Sequence, residues 1–230
     1  MPRRGACFSL PCCALHWELV EKTKRAFTAD LAAAFAALLL FVWLALEVRR
    51  GATISFDLEV RGAVHTWASA WLTWVMLAFT QLGSSLFLIV AGGLIVWRLA
   101  LARRRRAAVL LVVACLGAEV LDQALKLLFH RPRPEAFFGL SDPLTYSFPS
   151  GHATTACCFY GVLAAIVVAR LRSPAARISV WAAAAVMAAA IGLSRIYLGV
   201  HYPSDVLGGY VAAVMWLYLL RAGYYPGFPF

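Results

Sequence analysis

Charge is thin in this sequence, and negative charge is thinner still. Only 14% of its 230 residues are charged, 11 of them acidic against 21 basic, for a net charge of +10. Apolar residues make up 63% and mean hydropathy is +0.77, which excludes a soluble globule and marks a membrane chain. The six cysteines exclude a disulfide framework. Cys7, Cys12 and Cys13 fall in an N-terminal head read below as cytoplasmic, while Cys115, Cys157 and Cys158 fall inside apolar runs. No pair has zinc-finger spacing with histidines, so the last three read as packing residues and Cys12 and Cys13 as weak palmitoylation candidates. Nothing marks a second domain or an internal repeat.

What is present in quantity is hydrocarbon. Windows of about 20 apolar residues, the length that crosses a bilayer, predict an all-α membrane bundle of six spans. They lie near Leu31–Val48, Leu82–Ala102, Ala107–Phe129, His152–Ala169, Ile178–Leu193 and Pro203–Leu220. The fifth is short as bounded, so its start is expected closer to Ala175. Residues 1–30 read as a cytoplasmic segment, 31–222 as the six-span domain and 223–230 as a short tail. Glu18, Glu21, Lys22, Lys24, Arg25 and Asp30 precede the first span without a clean cleavage site after it, the pattern of an uncleaved start.

The basic residues orient the bundle. Arg3, Arg4, Lys22, Lys24 and Arg25 precede the first span, Arg103 to Arg106 join the second and third, Arg170, Arg172 and Arg177 join the fourth and fifth, and Arg221 follows the sixth. Six spans put these segments on one side, and the positive-inside rule makes that side cytoplasmic, with both termini. Their expected contacts are anionic headgroups, not nucleic acid. Segments 49–81, 130–151 and 194–202 then face outward, against the bias of Arg49, Arg50 and Arg61.

Those outward segments hold most of the remaining chemistry: Lys126-Leu-Leu-Phe-His-Arg-Pro-Arg133-Pro134, Pro149-Ser150-Gly151-His152, and Ser194-Arg195 through His201 to Asp205. Ionisable groups near a bilayer are costly, so their default reading is functional. Ser150 precedes an apolar run as an N-cap, and a helix N-terminus offers free N–H groups to a phosphate, with Gly151 permitting close approach. Asp205, four residues after His201, can fix one imidazole nitrogen and free the other to attack. Glu119, Asp122 and Lys126 share a helix face, so an Asp122–Lys126 ion pair competes with a ligand role for the lysine. Arg131 and Arg133 both project from a proline-stiffened loop.

The order and spacing of these stretches resemble the type 2 phosphatidic acid phosphatase (PAP2) family. The resemblance spans Lys126 to Asp205 and implies a metal-independent lipid phosphatase without a cofactor. It makes His201 the nucleophile, Asp205 its orienting partner and His152 the acid. Lys126, Arg133, Ser150, Gly151 and Arg195 become the phosphate ligands, the family spacing after the lysine and before a proline selecting Arg133 over Arg131. It places the chain in a bacterial inner membrane with its site facing outward. Phosphatidic acid, phosphatidylglycerol phosphate, undecaprenyl pyrophosphate and a lipid A phosphate all remain open as substrates. Phosphotransferases and vanadium haloperoxidases share such a site, and a non-catalytic lipid-phosphate binding or transport protein is a further alternative. Trp67, Trp71 and Trp74 recur at four and three residues, the spacing of an aromatic stripe on one interfacial helix. Phe137, Phe138, Tyr146 and Phe148 enrich the loop between the first two motifs.

Overall fold

Apolar segments in a bilayer must satisfy their own backbone, as helices or closed barrels, and every regular element among the described residues is a helix. The computed structural model describes residues 10–139 and 145–224. The start of the head with Cys7, the end of the tail, and the side chains of Cys12 and Cys13 lie outside the described residues. The first helix, α1 (Leu10–Arg50), runs 41 residues, through most of what reads in sequence as a separate head. Its length follows from its composition: no glycine or proline interrupts residues 12–50.

Next come α2 (Ile54–His65), α3 (Ala70–Leu82) and α4 (Ser85–Leu101). At 17 residues, α4 reaches about 25 Å, short of a hydrocarbon core of about 30 Å. It reaches span length only when joined to α3, across a 52° bend at Gly83 and Ser84. The second predicted span is therefore a bent pair that begins earlier than Leu82. Ser84 caps α4 by accepting the Phe87 N–H at 3.3 Å, which starts the helix in its new direction.

The remaining helices, α5 (Arg105–Phe129), α6 (Gly151–Val168), α7 (Pro174–Tyr197) and α8 (Pro203–Tyr224), match the last four predicted spans. Pro174 opens α7 one residue before the expected Ala175, behind a Ser173 cap. Among the described residues, five helices are long and apolar enough to cross a membrane, and the bent pair makes six. The tryptophan stripe is not one helical face. Trp67 sits in the turn after α2, and Ser69 in extended backbone starts α3, which carries Trp71 and Trp74. All three indoles are nonetheless exposed.

Packing holds α5 to α8 together along their length. Leu111, Ala114, Phe159, Val162 and Leu220 form one core between α4, α5, α6 and α8. Phe41, Phe148 and Ala212 join α1 to α8 and to the loop before α6. At the other end of the bundle, Arg221 of α8 donates to the buried Asp30 of α1 at 2.9 Å.

Candidate active site

Most motif residues stand where a helix starts or stops, and Arg133 and His201 lie in the loops between. Lys126 is in the last turn of α5 and Arg195 in the last turn of α7, where cations complement the helix dipole. Ser150 and Gly151 open α6, and Asp205 lies in the first turn of α8. Helix ends are thus focused on one point by the bundle itself. Lys126, Arg133, Arg195 and His201 all lie close enough to the His152 ring to act on it electrostatically. The three sequence stretches converge.

His201 is 2% exposed and fully determined in orientation. Its Nδ1 lies 3.4 Å from Asp205 Oδ2, and its Nε2 lies 3.1 Å from Arg133 Nη1. Arginine only donates, so Nε2 must carry the lone pair and Nδ1 the proton. Burial is the main cause that lowers the His201 pKa to about 4, with Arg133 and Arg195 adding to it and Asp205 opposing. The ring is therefore neutral at physiological pH, with its basic nitrogen turned toward the cations. Asp205 is held in turn: Oδ2 also accepts from Ser147 Oγ and, at 2.9 Å, from the Tyr202 N–H.

The start of α6 makes a cradle. The Ser150 N–H donates to the Asp205 backbone oxygen at 2.9 Å, which ties α6 to α8. Ser150 does occupy the N-cap position, yet its hydroxyl makes no capping bond; Oγ is buried with no hydrogen-bond partner. A Cβ on Gly151 would meet Asp122 Oδ2 at 2.8 Å and Lys126 Nζ at 3.1 Å, so a side chain there would push that pair aside. The Asp122–Lys126 ion pair does form, at 2.6 Å. It uses one of three ammonium donors and holds Nζ against the α6 N-terminus. Arg195 is anchored by donating from Nη1 to Thr80 Oγ1 of α3, while its Nε has no partner.

Several residues of this site escaped the sequence motifs. Ser147, Thr80 and Asp57 hold motif side chains, as does Ser204 within the third stretch, and Arg131, set aside in favour of Arg133, binds Asp205 Oδ1 at 2.5 Å. The two loop arginines thus grip opposite ends of the His201–Asp205 pair, as alternate residues of an extended loop can. Arg131 was in view from the sequence. Ser147, Thr80 and Asp57 bond across long sequence separations, and no local pattern marks them.

Beside the site, an apolar cavity of about 410 Å³ opens between α4, α5 and α6. It runs from Ile89 and Val112 to Glu119 and Thr155, the latter one turn from His152.

The chain resembles known proteins along most of its length. Phosphatidylglycerophosphatase B of Bacillus subtilis is 33% identical over 190 residues, covering 80% of this chain and 90% of the relative. An undecaprenyl-diphosphatase of Sulfolobus acidocaldarius is 28% identical over 182 residues, covering 76% and 82%. The crystal structure of a transmembrane PAP2-type phosphatidylglycerolphosphate phosphatase from Bacillus subtilis superposes with a TM-score of 0.76 at 32% identity. That match covers 82% of this chain and 94% of the solved one. The profile of the PAP2 superfamily matches residues 107–226, from α5 to the end of α8. With over half its length on that profile and its fold shared with a solved member, the chain belongs to the PAP2 superfamily, in its membrane-embedded phosphatase branch.

Proposed function

We propose that this protein hydrolyses a phosphomonoester or pyrophosphate headgroup of a membrane lipid through a phosphohistidine, on the extracytoplasmic side. The observation that carries the reading is the fixed lone pair of His201 Nε2, aimed among Arg133, Arg195 and the α6 N-terminus. Nε2 attacks phosphorus, a P–N bond forms and the bond to the lipid oxygen breaks. His152 gives its proton to that leaving oxygen. Water then attacks the phosphohistidine, His152 takes the proton, and inorganic phosphate leaves. Lys126, Arg133, Arg195, Ser150 Oγ and the α6 amides hold the non-bridging oxygens, where charge builds in the transition state.

The apolar cavity supports a lipid substrate, because an acyl or prenyl chain in it stays out of water while its headgroup reaches His152. The relatives' substrates, phosphatidylglycerophosphate and undecaprenyl diphosphate, are the first to try. Phosphate release from those lipids, phosphatidic acid and a lipid A phosphate tests the reading directly. Fixed cations already neutralise the phosphoryl group, so EDTA should leave the rate within about a factor of two. Vanadate should inhibit by taking a transition-state-like geometry in the same clamp. Activity lost in EDTA and restored by magnesium would refute this mechanism.

Sidedness has its own test. The arginine-rich connections α4–α5 and α6–α7 alternate with the site-bearing ones, which supports an outward site with both termini inside. In a background with native cysteines replaced, Glu135→Cys should react with an impermeant thiol reagent in intact cells. Arg105→Cys should be spared until the membrane is opened. The reverse pattern would turn the protein over.

A further inference from the structure

The buried face of α2 is charged. Asp57, Arg61 and Val64 are its buried residues, spaced by four and three so that they share one side. A helix on an outer surface normally buries an apolar stripe, and a fully buried carboxylate is costly unless paired. Asp57 is 0% exposed and fully bonded. Its Oδ1 accepts the Ser204 N–H at 2.9 Å, and its Oδ2 accepts from Ser204 Oγ at 2.7 Å and from Arg131 Nη2 at 2.7 Å. The other arm of that guanidinium, Nη1, donates to Asp205 Oδ1 at 2.5 Å and to Ser204 Oγ at 2.8 Å. Its plane lies 4.2 Å over the Tyr202 ring. Four residues along, Arg61 donates to the backbone oxygens of Glu135 and Gly199, in the same two loops.

The consequence is a chain of contacts from Asp57 through Arg131 and Asp205 to His201. We propose that Asp57 is a positioning residue, which through Arg131 sets the orientation and effective charge of Asp205. The proposal rests on the phosphohistidine reading above.

An arginine fork prefers to grip one carboxylate with both arms. Here Asp57 holds one arm, so Arg131 reaches only Oδ1 of Asp205 and leaves Oδ2 to His201, Ser147 and the Tyr202 N–H. Without the Asp57 charge, the fork can turn onto Asp205 alone. That would draw Oδ2 from Nδ1 and spend the carboxylate on the arginine rather than on the developing imidazolium. Asp57 lies upstream of the segment matched to the family profile, so α2 brings to the site a control that α5 to α8 do not supply themselves.

The competing role is a staple that merely fastens α2 to α8, and a double-mutant cycle separates the two. Asp57→Asn keeps the size of the side chain and an acceptor for Ser204 but removes the charge. With a nitrophenyl phosphate, its phosphoenzyme burst should slow by about 10²-fold, with KM within about twofold of wild type. Placed on Asp205→Asn, the same change should alter the rate by less than about twofold, because the residue it acts through is already disabled. Arg131→Lys keeps the cation but not the fork and should behave alike, deciding the matter if Asp57→Asn does not fold. A wild-type rate in Asp57→Asn, or an equal fold-loss with and without Asp205, overturns the proposal and leaves the phosphohistidine reading standing. A wild-type protein that forms no acid-labile covalent phosphoenzyme overturns both.

Discussion

Replacing His201 with Ala is expected to abolish lipid phosphate release and every trace of covalent phosphoenzyme. The expectation follows from one nitrogen. Asp205 holds the Nδ1 side and Arg133 faces Nε2, so a single lone pair, uncharged at physiological pH, points into the group of cations. Among the described residues, Ser150 Oγ has no partner to take its proton, and Cys115, Cys157 and Cys158 pack among apolar residues. Rapid quenching with labelled lipid phosphate, read after alkaline denaturation, checks it, since a P–N bond survives alkali and breaks in acid. Wild type should carry label that acid removes, and His201→Ala should carry none. Label that persists in His201→Ala would assign the nucleophile to another residue and leave Asp205 without its role.

Much of this arrangement can be read from the chain, and what cannot has a physical reason. The spans are legible because hydrocarbon must be continuous for about 20 residues to cross a bilayer, so α5 to α8 fall close to their windows. The second span is less legible. Its bend at Gly83 and Ser84 divides the apolar run between two directions, and a hydropathy window cannot see an angle. The head fails differently: polar residues before Asp30 read as a change of structure, although a helix needs no change of backbone to pass from bilayer into water.

At the site, the motif residues are legible because most of them sit at helix ends, where caps, prolines and dipole-matching charges leave local patterns. Ser150 shows the limit of such patterns. Its position as a cap is local information, while its unbonded hydroxyl depends on what surrounds it. Lys126 shows another. The ion pair with Asp122 and a place beside Gly151 look like competing readings in one dimension and are compatible in three. Asp57 is the extreme case. Its partners Arg131 and Ser204 are 74 and 147 residues away, and alone it reads as an ordinary charge on a short helix.

Replacing His152 with Ala should give a loss whose size depends on what leaves. His152 stands in the first turn of α6, with Lys126, Arg133 and Arg195 near its ring and no carboxylate bonded to it among the described contacts. It therefore lacks the orienting partner that marks His201, and the role left for it is proton transfer to the departing oxygen. A lipid alkoxide is a poor leaving group and needs that proton, so turnover of a phosphomonoester lipid should fall by about 10²–10⁴-fold. A nitrophenolate leaves readily without one, so the first step with a nitrophenyl phosphate should slow far less. The second step still needs a base for water, and phosphohistidine should accumulate. The measurement is a stopped-flow burst of nitrophenol, followed by slow steady-state release, with covalent label rising in step with the burst. His152→Ala should show the burst where His201→Ala shows nothing. Should His152→Ala abolish the burst while His201→Ala retains it, the two histidines have exchanged roles, and the lone pair pinned between Asp205 and Arg133 serves as the proton carrier instead.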